Sequence, residues 1–172
     1  DRIICAISND HSEQDEILEN IRGTSASHDI IESHYRVASR RQSKPDDAIE
    51  ILDKGLERLH QLPPTPLSAI LVADRLRMRV ARFLAADEEV QDEEAQEMEQ
   101  TIRDAIVEVS EHPTMKKFVA KCFGVASLFY ANRYDPEQAK DYWTSAMHIA
   151  IKNGFEDVKV ELLGHSSDFD SL

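Results

Sequence analysis

The chain has 172 residues, 41% hydrophobic and 31% charged, with five Gly and six Pro; this composition fits one folded, mainly helical domain that can bury a core, and excludes a disordered or collagen-like chain. Acidic residues outnumber basic ones 33 to 20, for a net charge of −13, a field that repels phosphate backbones and anionic lipid and so argues against nucleic acid or a membrane as partner. Cys5 and Cys122 make no disulfide framework, and no run reaches the ~20 apolar residues of a membrane span, so an intracellular protein, cytoplasmic or nuclear, is expected.

Residues 1–28 mix a short apolar run with polar and Gly/Ser-rich stretches, and Ser12 with Asp15 can cap a short helix reaching Ile21. They are expected to be a lead-in or partial repeat. The first residue is Asp1 rather than Met, which suggests a piece of a longer protein or a processed form.

Helical periodicity strengthens from Asp29, with Ile30, Ile31, His34, Tyr35 and Ala38 at three-and-four spacing. Pro45 with Asp46 and Asp47 marks a second helix start, because proline suits a first turn and carboxylates suit its positive end. Ala48, Ile51, Leu52, Gly55, Leu56 and Leu59 then form one apolar face that stops before the prolines at 63, 64 and 66. Leu67, Ile70, Leu71, Leu76, Val80, Phe83 and Leu84 predict a third helix with a broad stripe. The acidic run from Asp87 to Gln100 reads as a loop running into a helix that carries Met98, Ile102, Ala105, Ile106 and Val109 and stops before Pro113. A third pair begins near Thr114; Asp135 caps its second helix, Pro136 opens it and Gly154 ends it. A further short helix is expected over 155–163, then an acidic disordered tail, 164–172, whose Phe and Leu among acids and serines also fit a short docking segment. The basic clusters at Arg36–Lys44 and Arg75–Arg82 read as solvated helix faces.

Helix, turn, helix therefore occurs three times, over about 29–61, 65–112 and 114–153. A helical hairpin cannot bury its apolar face alone, so three in series imply an all-α array over 29–163 with a continuous core. The alternative is a single antiparallel helical bundle.

The last pair resembles the tetratricopeptide repeat. Phe123, Ala126, Ser127 and Tyr130 stand at the spacing of that family's first-helix pattern, and Ala139, Trp143 and Ala146 at that of its second. Small residues let two helices approach closely while the aromatics fill the space between. The match covers 114–153; the earlier pairs keep only Ala48, Leu52 and Gly55, or Met98, Ile102 and Ala105, and Ile151 lies near the place of the family's closing proline. The resemblance implies stacked hairpins whose first helices line a groove for a partner's peptide or helix, with Lys117, Lys121, Gly124, Leu128 and Asn132 facing it. That face would suit an acidic, partly apolar segment, or would lie as two lysines and a leucine beneath the next helix. Lys121 fits one place of the chaperone-tail clamp found in some members, but Val125 stands where an arginine is wanted, so chaperone tails are not the expected ligand.

Chemistry is sparse. Glu57 and His60 have the Glu-x-x-His spacing of di-iron bundles, without the second copy that such a site requires. The motifs of zinc proteases, dithiol exchange, serine hydrolysis and phosphate loops are missing from the sequence. Cys122 lies among Phe118, Val119, Val125 and Ala126, a core thiol rather than a nucleophile. No catalytic residue, cofactor or metal is assigned. The expectation is a non-enzymatic adaptor or scaffold, with a metal- or small-ligand-binding bundle, or a regulatory or dimerisation segment of a larger protein, as alternatives. The sequence leaves the oligomeric state open.

Overall fold

A computed structural model describes residues 27–133 and 135–169. The lead-in, with its Ser12-capped helix, lies outside them apart from its last two residues. The described chain is all-helical: α1 (Ser27–Arg40), α2 (Pro45–His60), α3 (Ser68–Leu84), α4 (Glu88–Ser110), a short 3-10 turn (Pro113–Met115), α5 (Lys116–Asn132), α6 (Pro136–Asn153) and α7 (Glu156–Phe169). No strand occurs among the described residues, and none of their helices is long and apolar enough to cross a membrane.

The helix boundaries follow local chemistry. Pro45 and Pro136 occupy first turns, and Asp135 accepts a hydrogen bond from the Gln138 amide at 3.0 Å. Gly154 ends α6 at φ 71°, a left-handed conformation that glycine adopts without steric cost. The acidic run departs from expectation: after a three-residue connection, 85–87, it is helical from Glu88 onward. Glu88 and Glu89 sit at the positive end of the helix, Arg133 holds Asp92 at 2.7 Å, and Arg82 holds Glu94 at 3.3 Å. Beyond Gly164, where disorder was expected, α7 continues to Phe169; residues 170–172 of the tail lie outside the description.

The order of packing is simple. Each odd-numbered helix packs against the helices before and after it and against the next odd-numbered one: α1 on α3, α3 on α5, α5 on α7. The main contacts of α2, α4 and α6 are with their flanking odd helices. Consequently α3 is surrounded, and every residue from Ser68 to Asp74 is buried. One large core joins Ile31 and Tyr35 of α1, Leu52 and Leu59 of α2, Leu71 and Phe83 of α3, Met98 and Ile102 of α4, and Phe129 and Tyr130 of α5. Phe83 and Phe129 meet at 5.1 Å, and Tyr130 stacks on Tyr142 of α6 at 5.3 Å. A second, smaller cluster holds Ala120, Ala146 and Ala150 with Val158 and Leu162 of α7, flanked by Phe123 and Trp143.

Gly55 shows why small residues recur at the helix crossings. A Cβ there would stand 2.8 Å from Cβ and Cγ of Tyr35 and 3.0 Å from Leu71, so α1, α2 and α3 can come this close only around a bare backbone.

Candidate functional site

The odd-numbered helices form one layer, and charge and concavity coincide on it. At its centre Asp74 of α3 is buried, and a buried carboxylate must be paired. Arg36 Nε donates to its Oδ2 at 3.3 Å, and Arg40 Nη2 lies 3.5 Å from the same oxygen. The Arg36 guanidinium also donates to Glu32 at 3.3 Å and lies 5.8 Å from the centre of the Phe118 ring on α5. One arginine thus ties α1 to both α3 and α5. The expectation that the first basic cluster is merely solvated fails here: the Arg36 side chain is 26% exposed, because Asp74 lies inside the apolar stripe of α3 and draws the cation down.

Beside this network lies a cleft of about 390 Å³. Ser39 and Arg40 come from α1, Ala73, Arg77 and Met78 from α3, Lys121 and Val125 from α5, and Glu161 from α7. Arg77 and Lys121 make no ion pair or hydrogen bond with the described residues, whereas Arg75 reaches Asp53 at 3.0 Å and Arg82 reaches Glu94. Arg77 and Lys121 also border a smaller cavity of about 160 Å³ with Gly124, Leu128, Val158 and Leu162.

The five residues assigned from sequence are not equivalent. Lys117 Nζ lies 2.7 Å from Asp157 Oδ2 on α7. Its hydrogen bond holds the Asp157 carboxyl below the usual carboxylate range, with a weaker pull from Lys121. Gly124 is buried, and a Cβ on it would stand 2.9 Å from Leu162 Cδ2. Lys121 and Leu128 are half-buried between α5 and α7, and Asn132 is exposed at the end of α5. Much of that face therefore lies against α7. Sequence reasoning missed Arg40 and Arg77; the readable signal was Asp74, an acid at an apolar position within the third predicted helix.

Cys122 is a free, buried thiol whose pKa is pushed up to about 12, first by burial and then by the negative charges of Asp74 and Glu108. Such a group packs and does not attack. Glu57 and His60 are both exposed at the end of α2. Among the described residues no group of three or more His, Cys, Asp or Glu is placed to hold a metal ion.

No known family model matches the chain, and neither a curated protein nor a solved structure matches it.

Proposed function

We propose that the chain is a non-enzymatic protein-interaction module, an adaptor or scaffold of the intracellular space, built as a tetratricopeptide-like array. Its layer of odd-numbered helices holds a peptide or helix of a partner protein. One observation carries this reading: α1, α3, α5 and α7 pack in succession and leave a cleft on their own side, while α2, α4 and α6 back them. Stacked hairpins produce that kind of surface. The buried positions agree with it. Ala126, Ser127, Ala139 and Ala146 are fully buried at the α5–α6 crossing, and Ala48, Leu52 and Gly55, or Met98, Ile102 and Ala105, are buried in the earlier pairs.

The test compares faces. A photo-crosslinking amino acid placed at Met78 in the cleft should trap a partner in cells, and the same group at exposed Val107 on α4 should not. Adducts formed only from Val107, or from neither position, would remove the reading.

A further inference from the structure

We propose that the cleft bounded by Arg40, Arg77 and Lys121 binds an acidic peptide segment through side-chain carboxylates placed around one aliphatic anchor. This rests on the interaction-module reading and adds the partner's chemistry to it.

The charges argue first. The chain carries a net −13, yet three cations converge on this one concavity. Two of them, Arg77 and Lys121, have no ion-pair partner among the described residues. Arg40 is half-exposed and holds Asp74 through one nitrogen, which leaves further N–H donors for a ligand. Guanidinium groups fit carboxylates with two parallel hydrogen bonds, and Lys121 adds a point charge. Two acids also line the cleft: Asp74, already held by Arg36 and Arg40, and Glu161 on α7. The floor of Ala73, Met78 and Val125 is apolar, so a ligand with charge alone would leave it wet. At about 390 Å³ the cleft has room for a side chain or two and not for a folded surface.

The molecule already uses this chemistry once, a helix turn away. α7 seats on α5 by placing Asp157 on Lys117 at 2.7 Å and Leu162 over Gly124. That is a carboxylate and a leucine five residues apart on a helix, recognised by a lysine and a bare backbone. Arg77 and Lys121 border both the α7 seat and the open cleft, so a second acidic, aliphatic segment meets the same layer where α7 leaves it uncovered.

The experiment is a selection from a random-peptide phage library on the full chain. The selected peptides are resynthesised with amidated C-termini and titrated by fluorescence anisotropy against wild type, the double variant Arg77→Glu/Lys121→Glu, and Arg103→Glu on α4 as a control. The proposal expects peptides rich in Asp and Glu around a Leu, Ile or Val, bound about tenfold more weakly by the double variant, equally by the control, and more weakly as salt rises. Peptides lacking acids, or acidic peptides that the double variant binds as well as wild type, overturn the proposal and leave the interaction-module reading standing. If no peptide is enriched, both fall. If the double variant does not keep its helical circular dichroism, the single Arg77→Gln and Lys121→Gln variants and the salt dependence of wild type decide; salt-independent binding overturns the proposal.

Discussion

The two ends of the array are built from different materials. From α1 to α5 the interior is filled by large side chains, among them Phe83, Phe129, Leu52, Leu71 and Ile102, and is crossed by the Glu32–Arg36–Asp74–Arg40 network. Where α5, α6 and α7 meet, the buried surface consists of three alanines with Val158 and Leu162, flanked by partly buried aromatics. A Trp143 Nε1 hydrogen bond to the Leu162 carbonyl at 3.0 Å and the half-exposed Lys117–Asp157 pair complete it. Alanine lets helices approach closely but removes little apolar area from water, so each contact there contributes less. The lesson is that one continuous stack can have a stiff body and a loosely seated last helix, and that the Glu161 wall of the cleft belongs to the loose part.

The largest loss of stability is expected from Phe83→Ala. Phe83 is fully buried in the large cluster and touches Phe129, so truncation should cost about 3–5 kcal/mol and lower one cooperative thermal transition. Leu162→Ala should cost about 2–3 kcal/mol, toward the low end for a buried leucine, because α7 can settle onto the gap. Its effect should also be local. Amide exchange should accelerate through α7 while α2 and α3 stay protected. If Leu162→Ala lowers the whole transition as far as Phe83→Ala, the two ends are one cooperative unit and the contrast is wrong.

A smaller contrast separates two glycines. An added methyl gains about 1 kcal/mol of helix propensity at either site. At Gly55 it meets Cβ and Cγ of Tyr35, atoms fixed close to their own backbone, so Gly55→Ala should be destabilising by about 1–3 kcal/mol net. At Gly124 it meets only the tip of Leu162, which can turn aside, so Gly124→Ala should lie within about 1 kcal/mol of wild type. Denaturation midpoints of the two variants test this; equal losses would mean that α7 is seated as rigidly as α1.

What was readable in the sequence was whatever a few neighbouring residues decide. Pro45, Pro113, the Asp135–Pro136 pair and Gly154 set helix ends through caps and missing donors, and the three-and-four spacing of Leu52, Leu56 and Leu59 placed their face in the core. What stayed hidden depended on how helices sit against each other. Spacing put Lys117, Gly124 and Leu128 on one side of α5, but nothing local said that α7 would cover part of that side. Arg36 looked solvated because its partner Asp74 is 38 residues away. The acidic run looked like a loop because its stabilising cations, Arg82 on α3 and Arg133 just past the end of α5, lie outside the run itself.

The smallest expected effect reports on the α7 seat directly, since the chain's single tryptophan, Trp143, is bonded to that helix. Lys117 holds the Asp157 carboxyl below its ordinary value, so the folded state binds that proton less readily than the unfolded chain does. The contribution is therefore present above the ordinary carboxylate pKa of about 3.9 and is lost as pH falls through the depressed folded value. Trp143 fluorescence should be flat from neutral pH to about 5 and then shift below about 4 as α7 loosens. In Lys117→Met the emission should already be shifted at neutral pH and change less on acidification, because the largest difference in Asp157 titration between the seated and the released helix is then gone. Superimposable acid profiles for the two proteins would show that the pair contributes nothing to seating α7, and that Leu162, Val158 and the Trp143 hydrogen bond hold it unaided.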